Sequence, residues 1–230
     1  MGTKRDILRV PATLEDIKKS YAKISGLYAT LEGRFEKRLR DRGLELLSVR
    51  EGEVVLEIGF GTGYALMEIA CSVGEMGKAY GIDITPQMLE QTRKRLDKVS
   101  LMGRVELCEG DARNMPYEDD MFDAVYMAST LELFDTPDIP RVLSEIKRVL
   151  RSRGRLVVAS MSKKGQEDSR FLRFYEWLHH KIPRYASCRP IYVEESVGEA
   201  RFHIVGSEEL LLGRLVPMRI ITATPSPEGS

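Results

Sequence analysis

No run of about 18 apolar residues occurs in this chain, so no transmembrane helix is expected, although hydrophobic residues make up 43% of its 230 positions. The N-terminus has no apolar h-region, so no signal peptide is read there and a cytoplasmic location is expected. Cysteine is scarce, with Cys71, Cys108 and Cys188 in no C-x-x-C spacing. That argues against a disulfide framework, and no metal site is expected. Cys71 and Cys108 fall in apolar elements and read as small core residues, whereas Cys188 reads as part of a loop. An excess of either charge is also missing, since 35 Lys/Arg balance 35 Asp/Glu. No strong basic patch exists, and no nucleic-acid partner is expected.

The balance conceals an asymmetry. Residues 1–50 carry 12 Lys/Arg against 7 Asp/Glu, and residues 51–161 carry 13 against 19. A basic helical cap over an acidic domain is the plain reading. The cap could also meet an anionic substrate or a lipid surface.

What the chain does have is the stretch Val54-Val55-Leu56-Glu57-Ile58-Gly59-Phe60-Gly61-Thr62-Gly63. The β-branched run from Val54 to Ile58 is too short for a helix and reads as a buried parallel strand. Glycine at alternate positions lets the backbone turn sharply and approach a ligand. Residues 64–73 then read as a helix whose N-terminus faces that ligand. Ala79-Tyr80-Gly81-Ile82-Asp83 is a second short strand ending in an acid, placed to accept ribose hydroxyls. The dinucleotide fingerprint needs a third glycine where Tyr64 stands, and Glu57 would repel a pyrophosphate. A ligand with a cationic amino group suits this pattern better.

Strand and helix alternate from residue 54. The third strand is expected at 104–108 and the fourth at 122–127. Thr85-Pro86 signals a helix running to about Ser100, with Leu89, Leu96 and Val99 on one side. Thr136-Pro137 signals another, with Ile139, Leu143, Ile146 and Leu150 inward and Gly154 as its stop. The fifth strand is expected at 156–159. Such alternation implies a parallel sheet with helices on both faces. Residues 13–47 read as two helices broken near Gly33. Residues 169–182 read as a helix with Phe171, Phe174, Tyr175, Leu178 and Ile182 in its stripe, and 191–200 as a short helix. Residues 202–205 and 215–222 read as the last strands. The division expected is a helical cap (1–50), an α/β domain (51–224, with a helical insertion at 162–200) and a disordered tail (225–230).

Five segments in order carry a family resemblance: LEIGFGTG at 56–63, GIDIT at 81–85, EGDARNMPYEDDMFDAVYM at 109–127, TLELFDTP at 130–137 and LRSRGRLVVAS at 150–160. From about residue 20 to 223 the chain resembles the class I S-adenosylmethionine-dependent methyltransferases, in the branch related to ubiquinone and menaquinone biosynthesis. The resemblance implies an α/β Rossmann-like fold with a doubly wound, seven-stranded sheet whose last strand is antiparallel. It implies S-adenosyl-L-methionine as cofactor and S-adenosyl-L-homocysteine as product. Glu57 and the turn Gly59, Gly61 and Gly63 would hold the methionine end. Asp83 would bind the ribose, with Ile84 and Met88 on adenine. Asp111 would accept from the adenine amino group, with the Ala112 backbone on a ring nitrogen, and Ala128 and Ser129 would line the methionine side. Asp111 on its own would read as a turn residue. Tyr21 and Tyr28 match the tyrosines of a lid over the cofactor, although the aspartates that relatives often place after them are alanines here.

The resemblance also implies methyl transfer to a small-molecule acceptor, such as a quinone precursor or a lipid. A carbon or oxygen acceptor needs its proton removed, and Glu132, His179 (with its neighbour His180) and Tyr192 are the candidates. Glu132 reads equally as a surface or capping acid. Trp177 lies off the apolar stripe with Arg173 and His180, where it could meet substrate, a lid, another subunit or a membrane surface. The N-P-P-Y-type motif of nucleic-acid methylation is missing after the fourth strand. Oligomeric state is not legible. A non-catalytic cofactor-binding protein is the alternative function, with a nicotinamide-dependent oxidoreductase behind it.

Overall fold

A computed structural model describes residues 37–166, 169–181, 188–213 and 215–226, with backbone only at 170, 175 and 178–181. Tyr21, Tyr28 and the expected first helix of the cap lie outside the described residues.

Residues 37–47 form α1. Then follow β1 (Val54–Ile58), α2 (Tyr64–Ser72), β2 (Lys78–Asp83), α3 (Pro86–Lys98), β3 (Val105–Glu109) and β4 (Phe122–Ala128). The remainder comprises α4 (Ile139–Val149), β5 (Leu150–Met161), α5 (Arg170–Lys181), α6 (Val193–Glu199), β6 (Phe202–Leu212) and β7 (Val216–Pro225). The seven strands form one sheet in the order β3-β2-β1-β4-β5-β7-β6. β7 runs antiparallel to both its neighbours, and the other pairings are parallel. The expected α/β seven-stranded fold is the observed one.

Alternation along the strands builds two cores. Leu56, Ile58, Val125, Met127 and Val158 point to the face covered by α4 and α6. Val55, Ala124, Tyr126, Val157 and Ala159 point to the face covered by α1, α2, α3 and α5. Glu57 and Tyr126 therefore share a face, as their register across β1 and β4 requires. Strand order reverses around β1 and β4, and in such sheets ligands bind beyond the strands' carboxyl ends at that point.

Several expectations need correction. Cys71 is exposed, on the outer side of α2, whereas Cys108 is half-buried and packs against the core from β3. α4 begins at Ile139, since the Asp135 carbonyl accepts from Asp138 and Ile139 and makes a turn of residues 135–138 first. Gly154 does not stop that helix. It is buried within β5, where a Cβ would stand 2.8 Å from Leu150. β5 starts at Leu150 and bulges, advancing from Leu150 to Arg155 while β4 advances only from Phe122 to Ala124. Val99 and Phe174, expected inward, are exposed. The sheet continues through Pro225, and the Ser226 amide donates to the Arg201 carbonyl at 3.1 Å, so the expected tail is paired in its first two residues.

Candidate active site

The turn after β1 is held from both sides. Gly59, Gly61 and Gly63 have φ of 72°, 50° and 79°, in the region that favours glycine. A Cβ at Gly59 would stand 2.3 Å from Thr130 Oγ1, and one at Gly63 2.4 Å from Thr92 Cγ2. A Cβ at Gly61 would meet nothing within 4 Å among the described residues, and Gly61 lines a cavity. From α3, the Thr92 hydroxyl donates to the Gly61 carbonyl at 3.0 Å and Arg95 Nε to the Thr62 carbonyl at 2.8 Å. The Arg95 guanidinium also lies 3.6 Å over the Tyr64 ring, a cation–π contact.

Asp83 closes the turn from β2. Its Oδ2 accepts from the Gly61 amide at 3.0 Å, and its Oδ1 from the Thr85 amide at 2.8 Å. The Thr85 hydroxyl and the Ile84 amide also bond this carboxylate, which faces the cavity. Burial pushes the Asp83 carboxyl above its ordinary range, and these backbone bonds oppose the shift.

Glu57 is buried at 5% exposure, and its Oε2 has no hydrogen-bond partner among the described residues. An orphaned buried acceptor costs about 1–3 kcal/mol. Burial first, and then the Asp83 charge, push this carboxyl well above the usual range, while Arg40 pulls it back. A cation placed there would relieve both the lost hydration and the repulsion.

These groups line one cavity of about 810 Å³, within the size range of small-molecule and cofactor sites. Glu57, Gly59, Gly61, Asp83, Ile84 and Met88 are in its wall, as are Asp111, Ala112, Ala128, Ser129 and Glu132. Gly63 stands behind the wall at the start of α2. Asp111 is both a turn residue and a wall residue. It accepts from the Arg113 amide at 2.9 Å and from Arg113 Nη2 at 2.6 Å, and Arg113 Nη1 reaches Asp138 at 2.7 Å. Burial would raise the Asp111 carboxyl, but the Arg113 bonds outweigh it and hold it below its ordinary value.

Glu132 is neither on the surface nor a cap. It lies buried in a 3₁₀ turn after β4, where Oε2 accepts from the Ser160 hydroxyl at 2.7 Å and Oε1 from the Met161 amide at 3.2 Å. Burial raises its carboxyl despite those bonds. Tyr192 is buried just before α6 and does not line the cavity. His179 and His180 lie on α5, and their side chains fall outside the described residues.

Sequence reading did not find Arg40, Tyr126 or the wall formed by Met161, Cys188, Leu212, Val216 and Met218. Val216 and Met218 fall only in an expected strand, and Met161 and Leu212 in no expected element. Their chemistry becomes apparent once β7 is inserted beside β5.

A glycine turn at a strand-order reversal, with acids ending β1 and β2, defines a class I methyltransferase architecture. The chain matches the family model for the methyltransferase domain over residues 50–204 and belongs to that family. It is similar to a demethylmenaquinone methyltransferase of Symbiobacterium thermophilum, 33% identical over 66% of this chain and 64% of the relative's own length. It thus spans slightly less than two thirds of that relative. A 2-phytyl-1,4-naphtoquinone methyltransferase of Nostoc punctiforme is 26% identical over 83% of this chain and 82% of its own. Among solved structures, a SAM-dependent methyltransferase from Aquifex aeolicus superposes with a TM-score of 0.64 at 22% identity, covering 86% of this chain and 97% of its own. The [4+2]-cyclase SpnF superposes at 0.75 and 18% identity, covering 94% and 97%. The family's cofactor is S-adenosylmethionine, and the site suits it. The open face of Gly61 admits a ligand close to the backbone, the Glu57 carboxyl suits a nearby cationic group, and Asp83 presents a second carboxyl to the cavity.

Proposed function

We propose that this chain transfers a methyl group from S-adenosylmethionine to a small, largely apolar acceptor of the quinone-precursor or lipid kind. The observation that carries this reading is the two-sided cavity. Acids and glycines of β1–β3 form one side, and Met161, Cys188, Leu212, Val216 and Met218 form an apolar side. When bound, the cofactor supplies a sulfonium methyl already activated for transfer. The protein then aligns the acceptor and excludes water. Asp83 orients the nucleoside end and Asp111 the base. Glu132 faces the cavity from beside β5, where it could hold a proton of the acceptor. The quinone substrates named for the relatives support the acceptor class.

The fold does not assign the reaction by itself, and SpnF is described as a cyclase. The test is incubation of the full chain with S-adenosylmethionine and a panel of reduced naphthoquinones and phospholipid amines. Mass spectrometry should find one added methyl on a quinol. Tight S-adenosylhomocysteine binding with no methylated product from any acceptor would favour a non-catalytic binder. Binding of NADH in its place would overturn the cofactor. Glu132→Gln should lower turnover about 10²-fold or more if Glu132 handles the proton, with little change in S-adenosylhomocysteine affinity.

No helix among the described residues is long and apolar enough to cross a membrane. Phe174 and Trp177 stack on the outside of α5 with centroids 5.9 Å apart. An amphiphilic acceptor would bring the protein to a membrane surface, and this aromatic pair is the contact we infer for it. Flotation with liposomes checks it: wild type should float and Trp177→Ser should not.

A further inference from the structure

The tip of the β6–β7 hairpin carries leucines that its turn does not require. Strand pairing runs out to Leu212 and Val216, and the Leu215 amide donates to the Leu212 carbonyl at 3.1 Å. Tight turns favour Gly, Pro, Asn, Asp and Ser. Here the stretch from Leu210 to Met218 is apolar except for Gly213 and Arg214. Leu211 and Leu215 are exposed at 48% and 60%, and apolar runs of this kind at a surface mark contact sites.

The tip is continuous with the cavity. Met218, buried at 3% exposure, lines the apolar wall together with Leu212 and Val216. Exposure therefore rises along one hairpin, from the wall to the outermost leucines. α5 packs on the same face of the sheet through Phe171 and Leu172, and its Phe174–Trp177 pair is exposed.

Two kinds of occupant compete for such a tip. A stable protein contact buries about 800 Å² on each partner, and two leucines on a narrow turn present far less. A lipid surface takes up a few apolar side chains wherever they meet it, because the layer beneath the headgroups is apolar throughout.

We propose that the β6–β7 hairpin tip enters the apolar layer of a lipid surface through Leu211 and Leu215, so that the acceptor side of the cavity faces lipid. The inference rests on the apolar acceptor read above and goes beyond it by giving that acceptor a route. It passes from lipid to the cavity wall along one hairpin.

The test places a fluorescent reporter at the tip of the full chain. Trp177 is the single tryptophan, and Trp177→Phe silences it while keeping an aromatic ring against Phe174. In that background Leu215→Trp reports from the tip. Val205→Trp reports from β6 away from the tip, at a position as exposed as Leu215 (62%). Each protein is mixed with phosphatidylcholine vesicles whose acyl chains carry bromine, a quencher of tryptophan inside the apolar layer. The tip reporter should lose emission and shift to the blue, and the Val205→Trp reporter should do neither. With Trp177 in place, Leu211→Ser combined with Leu215→Ser should lower vesicle partition about tenfold or more, as withholding two leucines from lipid would. Thermal melts check that each variant is folded.

Quenching of both reporters alike, or of neither, would overturn the inference. A tip reporter already blue-shifted without vesicles, in a protein that elutes as a dimer, would overturn it in favour of a second copy. The measurement needs neither cofactor nor acceptor, so it stands apart from the methylation panel. Tip quenching in a protein that methylates nothing would uphold the hairpin contact and remove the acceptor reading. Methylation of a quinol without tip quenching would keep the acceptor and remove the hairpin contact.

Discussion

The Thr92 hydroxyl donates to the Gly61 carbonyl at 3.0 Å while its methyl occupies the space a side chain at Gly63 would need. One residue of α3 thus fixes the glycine turn by a bond and by exclusion. Gly63→Ala should therefore cost both left-handed backbone strain and a steric clash, together about 2–4 kcal/mol. Gly52 is the control. Its φ is 86°, but its Cβ would meet nothing, so Gly52→Ala should cost only the strain, about 1 kcal/mol. Urea melts of the two variants check the difference, and equal losses would mean the Thr92 contact is soft.

Asp83 performs two tasks, bracing Gly61 and facing the cavity. Asp83→Ala should weaken S-adenosylhomocysteine by roughly 2–4 kcal/mol if the ribose bonds are charge-assisted. It should also lower the melting temperature of the unliganded protein. Calorimetry alongside thermal melts separates the two effects, and an unchanged affinity would remove Asp83 from the nucleoside site.

The buried Glu57 carboxyl makes stability depend on pH. Its folded value is raised, by burial and then by Asp83. Such a group contributes stability that is fully present below its unfolded value and lost as pH rises through the folded one. Glu57→Gln removes that loss. Relative to wild type the variant should gain melting temperature as pH rises from the ordinary carboxylate range toward neutrality. A difference that stays flat across that range would show that Glu57 titrates normally.

Arg155 ties three elements together. It donates to the Leu47 carbonyl, to the Ser48 carbonyl at 2.9 Å and to both Glu53 oxygens at 2.8 and 2.6 Å. The end of α1 is thus pinned to β1 and β5. Burial opposes ionisation of Glu53, yet the Arg155 bonds keep its carboxyl below the ordinary value. Arg155→Leu should destabilise by about 2–3 kcal/mol. Hydrogen exchange should show the loss concentrated in residues 37–47, and a loss spread evenly over the sheet would contradict the pinning role.

The parts of the site legible in the sequence are those formed by contiguous residues. Glu57 and the three glycines lie at or just past the end of β1, Asp83 ends β2, and strand ends leave a mark in hydrophobic pattern. Thr92, Arg40 and Tyr126 leave none, because only α3 and α1 docking and the β1–β4 register bring them to the turn. Gly154 misled because a glycine after a helical run usually stops it. Here the strand starts at once, and the glycine relieves crowding against Leu150 in a bulge. Cys71 misled because helical periodicity in the short α2 does not distinguish its outer face from its inner one. Glu132 could be read as surface or site from its neighbours alone. The Ser160 and Met161 donors that bury it come from a different strand.

The insertion of β7 between β5 and β6 has a wider consequence. Every residue assigned to the cofactor comes from the stretch before β5, whereas Leu212, Val216 and Met218 come from the closing hairpin. On the proposed reading, the donor's site and much of the acceptor's apolar wall are written in separate lengths of chain, with Glu132 as the exception. A gene could exchange its terminal hairpin and acquire a new acceptor while its donor machinery stayed intact.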